Sequence, residues 1–326
     1  MKEYFSDKNV LVTGATGLVG SWFTTNLVSK KALVVAFVRD FVPASMFFSE
    51  SASPSVTVVH GNLEDICSLE RTINEYNIEV VIHLGAQTIV GTANTSPLST
   101  FKSNILGTWN VLEACRLHDK TVKSIVIASS DKAYGDQDTL PYTEDSPLQG
   151  KNPYDASKSC ADLLAQSYGK TYALPIGISR CGNFFGGGDL NFSRLVPGTI
   201  KSLYQNQAPV IRSDGKSVRD YIYIKDAVHA YCTLAEKTET QRFHGEAFNF
   251  SNEIQLNVLE MVNRITKLLG KTNIQPIVKN EAINEIKNQH LSAKKAKAVL
   301  GWKSQWGIED GLKETIPWYV NYLKNR

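Results

Sequence analysis

The sequence predicts an α/β protein: a doubly wound parallel sheet with helices on both faces, followed by a smaller C-terminal region. Short β-branched apolar runs alternate with helical patterns through the first half, as in successive βαβ units. A glycine-rich turn, Gly14-Ala15-Thr16-Gly17-Leu18-Val19-Gly20, joins the first such run to the first helical pattern. At 326 residues the chain can bury a large core, as one large domain or two smaller ones.

Val10–Thr13 is short, apolar and β-branched, and reads as a buried strand. The helix after the glycine turn runs over Ser21–Ser29, with Trp22, Phe23, Leu27 and Val28 on its apolar pattern. Further strands are expected near Leu33–Val38, Val56–Val59, Val80–Leu84, Ser124–Ser129 and Ile176–Ser179. Helices fall between them near Glu64–Tyr76, Pro97–His118 and Pro153–Tyr172. From about Arg180 the character changes. Cys181–Asp189 is a glycine-rich loop, and the later elements are broken by Gly, Pro and Asn. Residues 1–180 are therefore assigned to the first domain and 181–326 mostly to a region that closes over it. A segment near 219–235, with a strand at Tyr221–Ile224, is expected to return to the first domain.

Glycines in the first turn permit a tight bend, close approach of backbone to a pyrophosphate and close helix-to-strand packing. The pyrophosphate would sit on the N–H groups that open the helix, which makes the region Rossmann-like. After the second strand come Arg39 and Asp40. An acid there binds the ribose hydroxyls of NAD, whereas an arginine accommodates the 2′-phosphate of NADP. Ligands of such sheets bind beyond the carboxyl ends of the strands, where Gly14, His83–Ala86, Ser129 and Ser130 all fall.

Tyr154-Asp155-Ala156-Ser157-Lys158 puts a phenol and an ammonium one helical turn apart. A lysine there favours tyrosinate and lowers the phenol pKa, which suits Tyr154 to general-base work. The Ser130 hydroxyl, at a strand end, can share the proton and hold a substrate alcohol. By itself the spacing is also that of any exposed helix, and the glycine turn is what gives it weight.

Net charge is +3 with both signs interspersed, and no basic run is dense enough for nucleic acid or an anionic membrane. Lys294-Lys295-Ala296-Lys297 reads as a solvated helix face. The five cysteines are scattered, odd in number and without metal-ligand spacing, which argues for free thiols and no metal. The first residues carry no apolar signal region, and the apolar run Ala32–Val38 is too short to span a bilayer. A soluble cytoplasmic protein is the expectation.

These residues resemble the extended short-chain dehydrogenase/reductases that modify nucleotide sugars. The resemblance covers nearly the whole chain: Thr13–Gly20, His83–Gln87, Asn104–Thr108, Ser129–Gly135, Tyr154–Lys158 and Arg219–Asp226. It implies a bound nicotinamide cofactor, a nucleoside-diphosphate sugar substrate and a homodimer built through helices 97–118 and 153–172. Within the family, the residues after the catalytic hydroxyl sort the reactions, and a Ser-Asp-Lys run, here Ser130-Asp131-Lys132, looks like the CDP-glucose 4,6-dehydratase branch. Ser21-Trp22, Arg180–Asn183 with Gly186–Asp189, and Arg194–Pro197 look like that branch too. Arg219–Asp226 follows the general epimerase and dTDP-glucose dehydratase pattern instead, which leaves the nucleotide base open.

The resemblance thus implies a hydro-lyase of deoxysugar biosynthesis: oxidation at carbon 4, loss of water across carbons 5 and 6, and hydride return to carbon 6. Ser130, Tyr154 and Lys158 would serve the oxidation, Asp131 would protonate the leaving hydroxyl, and Lys132, if deprotonated, would take the carbon 5 proton. The alternative for Asp131 and Lys132 is a surface salt bridge worth at most about 1 kcal/mol. The cofactor implied is NAD, with NADP the alternative. Its contacts would be Gly14, Thr16, Gly17, Leu18, Val19, Gly20, Arg39 or Asp40, Asn62, Leu63, Leu84, Ala86, Tyr154 and Lys158. Asn62 departs from the Asp common in the family. Gln87, Asn183, Arg194 and Arg219 are the substrate candidates, the arginines because a guanidinium pairs with phosphate in bidentate fashion. His83 reads as a structural histidine, and Trp302 and Trp306 as packing. Two alternatives stand: a nucleotide-sugar 4-epimerase on the same scaffold, and a non-catalytic dinucleotide-sensing protein.

Overall fold

The computed structural model describes residues 3–49, 55–281 and 286–326. In chain order the first half runs β1 (Asn9–Thr13), α1 (Leu18–Ser29), β2 (Leu33–Val38), α2 (Met46–Ser49), β3 (Thr57–His60), α3 (Ile66–Glu75) and β4 (Val80–His83). It continues with α4 (Val90–Thr95), α5 (Pro97–Phe101), α6 (Gly107–Leu117), β5 (Ser124–Ala128), α7 (Pro153–Tyr172) and β6 (Ile176–Cys181). The second half holds β7 (Asn183–Phe185), α8 (Leu195–Tyr204), β8 (Val210–Ile211), β9 (Val218–Tyr223), α9 (Ile224–Gln241) and β10 (His244–Phe250). Then come β11 (Gln255–Asn257), α10 (Val258–Leu268), β12 (Ile277–Val278) and α11 (Ile308–Lys324).

The main sheet has the strand order β10-β6-β5-β4-β1-β2-β3 and every pairing in it is parallel. Its central strands are mostly apolar because both faces are covered. Successive side chains alternate between two cores: Val10, Val12, Val34, Ala36 and Val38 enter one, while Leu11, Val35 and Phe37 enter the other. A third core joins β7, β9, α8, α10 and α11 through Phe185, Tyr223, Ile200, Met261 and Leu312.

The segment expected near 219–235 divides: β9 lies between β11 and β7 in a three-stranded sheet, while α9 carries Val228, Ala230 and Tyr231 into the first core beside the main sheet. The place beside β6 is taken by β10, and α9 packs beside β5 and β6. The helix expected over 97–118 is not uniformly α. A π-helical turn, Lys102–Leu106, lies between α5 and α6. That wide turn carries Asn104, whose side chain accepts from Gln87 N at 2.7 Å and donates to Gln87 O at 3.0 Å and to Ser157 Oγ at 2.9 Å.

Beneath the strand ends, Arg180 of β6 pairs with Asp162 of α7 through two bonds of 2.8 Å, with side chains 2% and 0% exposed. Arg180 Nη1 also donates to Tyr134 Oη at 2.9 Å, and Tyr134 donates to Asn249 of β10 at 2.7 Å. Asp162→Asn should destabilise the fold by about 3–5 kcal/mol, because it leaves a buried guanidinium without its counter-charge. Urea unfolding checks this, and a loss below about 1 kcal/mol would contradict it; Asp162→Leu with Arg180→Met should cost less than the single change.

Candidate active site

The glycine turn leaves β1 at Thr13 and enters α1 at Leu18. Gly14 has φ +70°, and a Cβ there would lie 2.7 Å from Gly85 N. A Cβ at Gly20 would run into the Gly14 carbonyl, so both glycines are required by the chain's own packing. Gly17 is different. A Cβ there would touch only Gly14 O, at 3.4 Å, and Gly17 caps α1 with no side-chain hydrogen bond. Bareness at that position serves an outside group that approaches the helix N-terminus, so the turn fits a dinucleotide pyrophosphate. Thr16 O accepts from Ser45 Oγ at 2.7 Å, while Leu18 and Val19 pack inward.

At the end of β2, Arg39 Nε donates to Asp40 Oδ2 at 2.6 Å, and both side chains are exposed. The two cofactor-selecting candidates therefore hold each other. Asn62, exposed after β3, accepts from Glu64 N at 3.2 Å. Leu63 lies against Gly85 and Gly107: a Cβ on Gly85 would be 2.9 Å from its Cδ1. Leu84 packs into the first core, and Ala86 and Gln87 are half-buried beside it. His83 is buried, with Nδ1 2.8 Å from Thr13 Oγ1 and Nε2 3.0 Å from Thr108 Oγ1. Burial and the charge of Lys158 push its pKa down to about 3, so it is a neutral brace between β1, β4 and α6.

The reactive groups gather beyond β5. Ser130 accepts from Lys132 N at 3.2 Å and donates to Asp131 Oδ1 at 3.1 Å, which opens a 3₁₀ turn over Asp131–Tyr134. Asp131 is 2% exposed, and Oδ2 has no hydrogen-bond partner among the described residues. Burial raises its carboxyl above the usual range, against the pull of Lys132, Ser130 and Arg219. At 2% exposure Asp131 is not a surface carboxylate, and Lys132 acts on it electrostatically. Asp155, also buried, is raised by burial and partly held down by Lys132.

The expected effect of Lys158 on Tyr154 is corrected. The phenol is pushed up to about 12, first by burial and then by Asp131, with Arg194 and Ser130 acting against them. Lys158 Nζ donates to Ala128 O at 2.8 Å, and burial pushes its own pKa down to about 8. The spacing sets phenol and amine on one helix but carries no information about desolvation.

Arg194, at the start of α8, donates to Asp189 Oδ2 and Thr88 Oγ1, each at 3.1 Å. Its influence on Tyr154 brings the second region to the site. Arg219 is buried; Nη1 donates to Val218 O at 2.9 Å and Lys287 O at 3.2 Å. Asn183, half-buried on β7, donates to Asp220 O at 3.5 Å. The structure thus unites Ser130, Asp131, Lys132, Tyr154, Arg194 and Arg219, while Arg39, Asp40 and Asn62 stand at the far ends of β2 and β3. Sequence reasoning missed Asp155, although it lies inside the Tyr154–Lys158 motif. It also missed Gln289, 157 residues from Lys132, whose Oε1 accepts from the Lys132 amine. Asp220 was missed as well; it is buried and pushed up to about 7.

The chain is an extended short-chain dehydrogenase/reductase and belongs to the family described as GDP-mannose 4,6 dehydratase, whose profile matches residues 11–315. It is 28% identical to the CDP-glucose 4,6-dehydratase of Salmonella typhimurium strain LT2, over 99% of this chain and 93% of that protein. Among solved structures it resembles dTDP-glucose 4,6-dehydratase from Bacillus anthracis in complex with NAD, with TM-score 0.84 and 26% identity over 97% of this chain and 98% of that one. It also resembles UDP-glucose 4-epimerase from Thermotoga maritima with UDP-glucose, with TM-score 0.88 and 25% identity over 97% and 99%.

Folding raises Asp220 from its ordinary 3.8 to about 7, chiefly by burial. The folded chain therefore holds a proton that the unfolded chain releases near pH 4. The stability linked to it is full below that pH and is lost as pH rises through about 7. Asp220→Asn should accordingly lose less stability between about pH 5 and pH 8 than the wild type, by on the order of 2–3 kcal/mol. Parallel pH–stability curves for the two proteins would refute this.

Proposed function

We propose that the protein is an NAD-dependent nucleoside-diphosphate-hexose 4,6-dehydratase, of the CDP-glucose type, that forms a 4-keto-6-deoxy sugar. One observation carries the reading: a buried carboxyl and an amine, Asp131 and Lys132, stand beside the Ser130–Tyr154 pair, and the carboxyl is biased toward its protonated form. An epimerase moves only a carbon 4 hydrogen and has no use for an acid aimed at a leaving hydroxyl. A sensing protein needs none of these groups. Similarity to CDP-glucose and dTDP-glucose 4,6-dehydratases along the whole chain supports the same reading.

The proton at carbon 5 is not acidic until carbon 4 is a ketone. Tyr154 accepts the carbon 4 hydroxyl proton while Ser130 holds the same oxygen. Lys158, bonded to Ala128 O, lies one turn along and would hold the cofactor ribose. A bound nicotinamide dinucleotide would supply the hydride acceptor and donor, and its positive charge would bring down the phenol that burial holds up. Asp131 then protonates the carbon 6 hydroxyl, which departs as water, and Lys132 takes the carbon 5 proton and later returns it. Gly14, Thr16, Gly17 and the first turn of α1 would hold the pyrophosphate, with Asp40 on the ribose. Arg194 and Arg219 serve the substrate diphosphate, and Gln87 and Asn183 the sugar.

A homodimer through the 97–118 and 153–172 helices is supported by exposed Leu98, Trp109, Leu117, Leu163 and Tyr172 on those elements. No helix among the described residues is long and apolar enough to cross a membrane. All five cysteines are unpaired, which suits the reducing cytoplasm.

Purified protein incubated with CDP-, dTDP-, GDP- and UDP-hexoses should convert one of them with the mass loss of one water; retention of mass on all four would overturn the proposal. Tyr154→Phe should slow turnover by about 10²–10⁴-fold with substrate binding nearly unchanged, and a near wild-type rate would remove Tyr154 from its role. Lys132→Ala should still oxidise carbon 4 yet form little product and wash deuterium out of carbon 5 slowly. Normal dehydration by that variant would shift the base to another group.

A further inference from the structure

We infer that Gln289 is a positioning residue for the dehydration step, whose side-chain amide sets the Lys132 amine against the Asp131 turn. The inference rests on the dehydratase reading and deepens it.

Gln289 is 0% exposed. Its Nε2 donates to Asp131 O at 2.9 Å, and its Oε1 accepts from Lys132 Nζ. The reverse orientation would set an NH₂ group against the lysine N–H bonds, so the partners fix the amide. Gln289 thus touches both the backbone of Asp131 and the head of Lys132. A lysine stem has four rotatable carbons, and a defined location for its nitrogen needs an anchor.

That anchor comes from outside the first domain. Residues 287–291 lie along β9: Val218 N donates to Lys287 O at 2.9 Å, and Gln289 N donates to Val218 O at 3.1 Å. Leu291 N donates to the Asp220 carboxylate at 3.1 Å, and Arg219 Nη1 donates to Lys287 O at 3.2 Å. One short strap thus carries an acceptor for Arg219 and, two residues on, an acceptor for Lys132.

The chemistry favours an amide over the two side chains of nearest shape. Glutamate would accept from Lys132, but it could not donate to Asp131 O, and its charge would hold the lysine protonated. Methionine would fill the space and satisfy neither group. A neutral acceptor orients the amine and leaves it free to lose its proton, as abstraction at carbon 5 requires.

The test uses the full chain, NAD and whichever nucleotide hexose the wild type dehydrates, with Gln289→Met and Gln289→Glu. Carbon 4 oxidation is followed by nicotinamide absorbance in a single turnover, and carbon 5 exchange by deuterium uptake from heavy water. In Gln289→Met, carbon 5 exchange and product formation should fall about 10²-fold, the scale expected when a reacting group is misplaced by about 1 Å. Carbon 4 oxidation and KM should change by less than about threefold. In Gln289→Glu, the acid limb of the exchange rate should move to higher pH by about one unit, because the added charge raises the lysine pKa. Oxidation and exchange falling in step in the methionine variant would overturn the inference, as would an unmoved acid limb in the glutamate variant. Should the methionine variant fail to fold, the glutamate limb alone decides. Wild-type protein that catalyses no carbon 5 exchange defeats the dehydratase reading itself, before any variant is compared.

Discussion

The carboxyl of Asp131 is taken out of water and given one hydroxyl partner, Ser130, with its second oxygen unpaired among the described residues. A carboxylate treated in this way protonates unless positive charge is brought close. The positive charges present, Lys132 and Arg219, reduce the effect without cancelling it, since the group remains raised. The neighbouring groups share the consequence. Desolvation lifts the Tyr154 phenol and the Asp155 carboxyl, and it depresses Lys158. Each shift favours the neutral form, so the groups gathered beyond β5 are disfavoured from holding charge. A site of that kind suits chemistry in which charge appears only when the reactant is in place.

Holding such a turn rigid takes support from several directions. The Arg180–Asp162 pair joins β6 to α7 and reaches Tyr134, the last residue of the same turn, whose hydroxyl continues to Asn249 on β10. From the other side Gln289 grips Asp131 and Lys132. Asn104, set by the π-helical turn, joins Gln87, beyond the end of β4, to Ser157 on α7. The sheet supplies the common floor, because parallel strands present all their carboxyl ends on one side.

Much of this was legible in the residues. The strands of the first half and α7 lie within a residue or two of where apolar runs and turn residues put them, since buried parallel strands announce themselves without alternation. Ser130, Asp131, Lys132, Tyr154 and Lys158 were readable as a group because the run beyond β5 and the first turns of α7 converge in such a fold. What escaped depends on distance and on water. β10 was not read as a sheet strand, since its place beside β6 is settled by a pairing across the intervening lobe. The strands β8 and β12 are two residues each, too short for a period. Gln289 belongs to no local pattern. The sign of the Tyr154 shift was read wrongly because spacing on a helix says which groups are near, and burial decides what nearness does.

The order of strands has a consequence for how the chain comes into being. The sheet's seventh strand is β10, and α9 covers β5 and β6, yet both lie beyond β7, α8, β8 and β9 in the chain. A nascent chain that has emerged only as far as β6 has an open edge there, with parallel pairing groups exposed. It cannot close that edge until residues 244–250 are available, by which time β7, α8, β8 and β9 of the second lobe have already been made. The two lobes are therefore distinct in space but not separable by a cut. A break after residue 180 would give one fragment with a bare edge and another carrying a strand with no sheet to join.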